Sequence, residues 1–204
     1  MFFLADHTRT IPDMTKIILL LLLGLPTNPG QDGSNASKQL IENNRVTVRE
    51  TTNAPAQIAA RDHDIVVVDL DAKSAFFIAK GSNHSSGKHA IIVDLKDVSV
   101  PPLENKTKYP LAFPRPGVKK ILENNRVMIW DYTWTPATPT PMHYHDKDVV
   151  VVYLAEGDLK STTPEGKSEV NTISFGLTRF NAPNRTHTEE LVKGAARAII
   201  VELK

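Results

Sequence analysis

Pro141-Met142-His143-Tyr144-His145-Asp146-Lys147-Asp148 runs directly into Val149-Val150-Val151-Val152-Tyr153-Leu154. The second part is a nearly continuous apolar run of strand length, as expected for a strand covered on both faces. In the first part, residues two apart on an extended chain face the same way. His143 and His145 then present two imidazoles on one face, close enough to share an ion. Imidazole suits first-row divalent metals. A His-x-His pair alone is common; its place between a proline-rich turn and a buried strand gives it weight.

Outward from this stretch the chain repeats itself. Lys38–Val48 (KQLIENNRVTV) matches Lys119–Ile129 (KKILENNRVMI), Asp62–Leu70 matches Asp146–Leu154, and Ala90–Lys96 (AIIVDLK) matches Ala198–Lys204 (AIIVELK). The anchors keep their order, and the growing offset leaves 24 extra residues in the second half between the last two anchors. Those include Gly157–Thr163, a Pro164-Glu165-Gly166-Lys167 turn and Ser168–Phe175, which read as a hairpin. The first half lacks it and is expected to form a reduced barrel or an appended sheet. Val100-Pro101-Pro102 and Tyr109–Gly117 make a proline-rich connector, where the missing amide donors argue against a central strand. No segment beyond the N-terminus has sustained helical periodicity, so the fold class is all-β. The domain reading is 1–36 leader, 37–98 first repeat, 99–118 connector and 119–204 barrel with the site.

Ile17–Leu25 is an apolar core behind Lys16, shorter than the roughly 20 residues that span a bilayer. It fits a secretory signal with Ser34 and Ala36 placed for cleavage before Ser37, and Met14 makes a more ordinary start. The alternative is a buried strand or helix. Export, secreted or periplasmic, follows from the first reading, with no stable membrane anchor after cleavage. A net charge of +1 without a basic cluster gives no reason to expect nucleic acid. With no cysteine, thiolate zinc sites, disulfides and cysteine nucleophiles are excluded. No serine stands in a nucleophile-elbow context.

His143-Tyr144-His145, the acidic residues after it, the valine strand and Gly157 resemble the first motif of the cupins, and Pro183-Asn184-Arg185-Thr186-His187 resembles the second. The spacing is similar to small cupins related to a β-alanine degradation protein. The resemblance covers Lys119–Lys204 and implies a double-stranded β-helix, a jelly-roll barrel. It also implies a divalent metal, iron, manganese, zinc or nickel, near the barrel axis on His143, His145 and His187. Two departures stand out. Arg185 replaces a usual glycine, with one residue less before the histidine. The positions of the usual glutamate ligand are Val149 and Val150. Asp148 is the nearest substitute carboxylate, yet strand alternation turns it away from His145 unless a bulge intervenes.

In the repeat, His143 and His145 align with Ala59 and Arg61, so the first half cannot bind metal in this way. Asp62 and Asp64 persist opposite Asp146 and Asp148, which favours a turn or strand-entry role for these acids. His84 aligns loosely with His187 and is expected to be structural. Trp130, Tyr132 and Trp134 share one strand face, read either as an inter-repeat or dimer packing surface or as a barrel mouth facing an apolar substrate. Arg185 is read as a solvated loop charge, with a substrate carboxylate as the alternative. Glu189 and Glu190 are read as exposed loop acids that could otherwise serve as acid or base. Arg45 and Arg126, at equivalent points, suggest a shared structural bond. Two functions stay open: a metal-dependent, oxygenase-like enzyme on a small organic molecule, or a non-catalytic module binding a small molecule or a stabilising metal. A homodimer is compatible with either.

Overall fold

The computed structural model describes residues 36–52, 57–58 and 61–204; the leader lies outside them. No helix occurs among the described residues. Strands β1 (Ala36–Glu42), β2 (Val46–Thr52), β3 (Gln57–Ile58), β4 (Ile65–Asp69), β5 (Ser74–Ile78), β6 (His84–Ser85) and β7 (Ala90–Leu95) come before the connector. After it come β8 (Val118–Glu123), β9 (Val127–Trp134), β10 (His143–His145), β11 (Val149–Tyr153) and β12 (Gly157–Thr162). The last four are β13 (Ser168–Ile173), β14 (Thr178–Asn181), β15 (Arg185–Gly194) and β16 (Ala196–Leu203).

The C-terminal strands form two antiparallel sheets, ordered β14-β11-β16-β9-β8 and β10-β15-β12-β13. Successive strands from β9 to β15 alternate between the two sheets, except where the β12–β13 hairpin stays within one. This is the order of a jelly roll, and the barrel is an all-β double-stranded β-helix. The expected hairpin is present, with Gly157 paired to Ile173 and Thr162 to Ser168. Gly157 stands where a Cβ would lie 2.5 Å from the Lys193 carbonyl oxygen, so no larger residue fits that crossing.

The N-terminal strands form one sheet, β1-β2-β7-β4-β5, beside the two-residue β3–β6 pair. Its order matches β8-β9-β16-β11-β14. The registers match too: Val46 pairs with Leu95 and Ile65 with Asp94, as Val127 pairs with Leu203 and Val149 with Glu202. Asn43 Oδ1 accepts from the amides of Arg45 and Val46, and Asn124 Oδ1 from those of Arg126 and Val127. Of the two expectations for the first half, an appended sheet is what forms.

Strand alternation then decides the packing. Val46, Val48, Val66, Val68, Ile91 and Val93 from the first sheet join Ile129, Val150, Val152, Ile199 and Val201 from the second in one buried cluster. The two five-stranded sheets therefore pack face to face. The alternate residues of β9, β11 and β16 point the other way, into the barrel. Trp130, Tyr132 and Trp134 lie there, buried with Val151, Leu159 and Ile200. The aromatic row is thus neither an inter-repeat nor a dimer surface: it faces the barrel interior, because β9 turns its odd-numbered aliphatic residues toward the first sheet.

The connector does more than join the halves. Ala112 N donates to Tyr144 O and Tyr144 N to Pro110 O, both at 2.8 Å, so the chain runs parallel to β10 for one bridge. Ala112 and Phe113 are buried as a result, and Phe113 stacks on Trp130 with ring centroids 5.3 Å apart. Arg115 follows them into the barrel.

Candidate metal centre

His143 and His187 are paired residues of β10 and β15, and His145 sits two along from His143 on the same face. The register brings all three imidazoles together, with ring centroids 4.9 to 5.0 Å apart. One nitrogen from each lies within 4.8 Å of the others. His145 Nε2 and His187 Nε2 are 3.2 Å apart. His143 and His145 are 2% and 7% exposed, and the His187 side chain is 12% exposed, so the cluster is enclosed.

Burial sets the charge state. Desolvation, with Arg115 next, holds His143 down at about 4. Desolvation, with Arg185 next, holds His145 well below its ordinary value. His187 is lowered by burial as well. All three rings are neutral at pH 7, the form that coordinates a cation.

The donor set fits a divalent ion. Nitrogens each about 2.1 Å from one ion stand about 3 to 3.4 Å apart, which the His145–His187 pair matches at 3.2 Å while the set of three lies within 4.8 Å. His143 Nδ1 donates to Pro141 O at 2.8 Å, which fixes its tautomer and leaves the Nε2 lone pair facing the cluster. That lone pair accepts from Arg115 Nη1 at 2.9 Å, so a cation binding there displaces a hydrogen bond. His145 Nδ1 is buried without a partner.

Asp148 is not part of the cluster. It turns outward, as alternation requires, and its Oδ2 meets Arg45 Nη1 at 3.1 Å across the sheet-to-sheet interface. Arg126 Nε faces Asp64 Oδ2 at 3.6 Å, the same bond in the opposite sense. Arg45 Nη2 donates to Lys204 O and Arg126 Nη2 to Lys96 O, which completes the correspondence. The recurring acids and arginines are thus clasps between the sheets. His84 is exposed at the β3–β6 pair, with its ring 4.4 Å from that of Phe76. Glu190 lies on the outer face of β15 against Lys160.

Three residues read from sequence as exposed charges, or passed over, belong to the site. β15 begins at Arg185, so Arg185, His187 and Glu189 all face inward, a period-two signal already present in the sequence. Glu189 is no loop acid. Its Oε2 accepts from Trp134 Nε1 at 3.1 Å and Arg115 Nη2 at 3.2 Å, while Oε1 lies 3.8 Å from His187 Nε2. Burial pushes Glu189 up, but Arg115, the neighbouring His187 and His143 and the Trp134 hydrogen bond together offset it and keep the group below its ordinary value. Arg115, in the proline-rich connector, had no local signal at all. Its guanidinium is 4.3 Å from the Tyr132 ring centroid and 5.0 Å from that of Phe113.

Beside the cluster lies a cavity of about 30 Å³, lined by Phe113, Arg115, Trp134, His145, Arg185 and Glu189 among others. It shares Arg185, Glu189, Tyr153 and Asn181 with a wider opening of about 240 Å³ that reaches His187. The arrangement offers three neutral imidazoles, one ionised carboxylate and an open approach from one side.

No family model matches the chain, and no curated protein matches it in sequence. Solved structures similar to it include a cupin domain from Bordetella pertussis, with 25% identity, 48% of this chain and 98% of that one covered, and a TM-score of 0.40. A cupin 2 conserved barrel domain protein from Leptotrichia buccalis shares 12% identity over 83% of this chain and 88% of its own, with a TM-score of 0.46. A RmlC-like cupin family protein with a double-stranded β-helix fold from Methanocaldococcus jannaschii shares 14% identity over 52% and 91%, with a TM-score of 0.37. By its own strand order the barrel is an all-β double-stranded β-helix.

Proposed function

We propose that this chain is a metal-dependent enzyme acting on a small organic molecule inside its C-terminal barrel. The observation that carries the reading is the convergence of His143, His145 and His187 beside an open cavity. His143, His145 and His187 would hold the ion, and a divalent ion so held supplies Lewis acidity to a ligand oxygen. Three protein donors leave positions open for exchangeable ligands, unlike a closed structural site. Glu189, ionised and 3.8 Å from His187, is placed to accept a proton from a molecule in the cavity. Iron, manganese, zinc and nickel all accept this donor set. Oxygenase-like chemistry enters only through the family resemblance, as one form this enzyme could take.

A second reading is a non-catalytic module that binds a small molecule or a stabilising ion. It draws support from the Arg115 hydrogen bond to His143, which satisfies that lone pair without any metal. Export remains a proposal drawn from Ile17–Leu25, outside the described residues.

Metal analysis of tag-free protein tests the first reading. We expect about one divalent ion per chain, lost in His143→Ala and in His187→Ala. Near-zero metal in wild-type protein dialysed against each of the four ions, with circular dichroism unchanged, would overturn it.

A further inference from the structure

Among the described residues, Arg185 places a guanidinium at the barrel cavity in no ion pair within 4 Å, with Glu189 acting on it only from farther off. Arg45 and Arg115, whose side chains are deeply buried, are each paired with an acid: Arg45 with Asp148 and Arg115 with Glu189. Arg185 is not. Its Nε donates to Ala182 O at 2.9 Å, and its Nη2 is buried without a hydrogen-bond partner. Arg179, at the wider opening, donates to Asn171 Oδ1 at 3.0 Å and also has no ion-pair partner among the described residues. Glu189 shares the cavity, but its Oε2 is held by Arg115 and Trp134. A charged donor buried without a partner is costly, so the unpartnered Nη2 at the cavity is matched to an anionic ligand.

We infer that the cavity takes a small monocarboxylic acid, its carboxylate received by Arg185, with Arg179 at the entrance and the rest of the molecule directed toward the three imidazoles. The planar fork of Arg185 suits the two oxygens of a carboxylate. The β10–β15 register sets Arg185 directly opposite His145, so an acid anchored there has its body beside the histidine cluster. The cavity, smaller than those for drug-sized ligands, limits the acid to a few carbons or one ring. This deepens the enzymatic reading and rests on it for any reaction, whereas the binding step needs only Arg185.

Ligand-observed NMR on the full chain provides the test. Propanoate, butanoate and benzoate are titrated beside their primary amides and inorganic phosphate, with and without added zinc. At least one acid is expected to bind, its amide at least tenfold more weakly. Arg185→Gln should weaken the acid at least tenfold while leaving the amide unchanged, and Arg179→Gln should weaken it by a smaller factor. If Arg185→Gln does not fold, Arg185→Lys, which keeps the charge and loses the fork, should weaken the acid several-fold. No acid binding, equal binding of acid and amide, or an acid indifferent to the Arg185 variants would each overturn the inference. Phosphate bound through Arg185 more tightly than every acid would also overturn it. His143→Ala separates the two proposals: acid binding retained in that variant upholds the carboxylate site even where no metal binds.

Discussion

An incoming cation and Arg115 require the same lone pair on His143. Arg115→Met removes both the competing donor and a positive charge, and frees Glu189 beside His187. Zinc affinity is therefore expected to rise about tenfold, close to 1.4 kcal/mol, in a competition titration with a chromophoric chelator. An unchanged or weaker affinity would place Arg115 among the supports of the metal site. The neutral histidines set a pH dependence in metal-free protein. His143 titrates at about 4 when folded and near 6.5 when unfolded. The unfolded chain thus binds more protons below pH 6.5, and stability is lost as pH falls from there toward 4. His143 alone accounts for about 3 kcal/mol, measurable by urea unfolding across that range; His145 and His187 act in the same direction. His143 and His145 were legible because alternation puts them on one strand face, and His187 only through the resemblance of Pro183–His187 to a second motif. Arg115 was not, since nothing local in Pro114-Arg115-Pro116 foretells a bridge to β10.

At the scale of elements, the β10–β15 pair assembles the site and the arginine clasps join the sheets. Asp148 marks the boundary between these roles. Asp148→Asn is expected to retain its metal while costing about 3 kcal/mol, because it leaves the buried Arg45 charge uncompensated. Asp64→Asn, at the longer and more exposed Arg126 pair, should cost under about 1 kcal/mol. Chemical denaturation with metal analysis of the same samples checks both. Strand alternation in the sequence already pointed Asp148 away from His145. It also held the inward set of Arg185, His187 and Glu189, which was hidden because the Arg-Thr-His-Thr-Glu-Glu run is polar and looks like a loop. That run is a strand because its partners, β10 and β12, supply the ladder on both sides. The apolar alternation that usually signals a strand is absent where the barrel wall faces a polar site.

For the whole molecule, the decisive feature is one core shared by two sheets. Ile199 is fully buried in it, between strands of both halves. Ile199→Ala is expected to cost about 2 to 5 kcal/mol. It should lower a single calorimetric transition rather than split it, since neither five-stranded sheet keeps its inner face covered without the other. The matched strand orders, registers and clasps lead us to infer that the halves arose from one duplicated barrel. On that view the first half lost the hairpin equivalent to β12–β13 and, with it, the second sheet that would enclose a site. Repeat spacing made the missing hairpin legible. The face-to-face packing was not, because the valine-rich strands are apolar on both sides and give no sign of which face meets the other sheet.

The account stands on an ion held by three imidazoles within the barrel. Cobalt(II) titration of metal-free protein, followed by visible absorption, addresses this most directly. One equivalent should develop intense d–d bands from nitrogen coordination, and these should be abolished in His145→Ala. A spectrum that stays that of aqueous cobalt through several equivalents, in folded wild-type protein, would contradict the account.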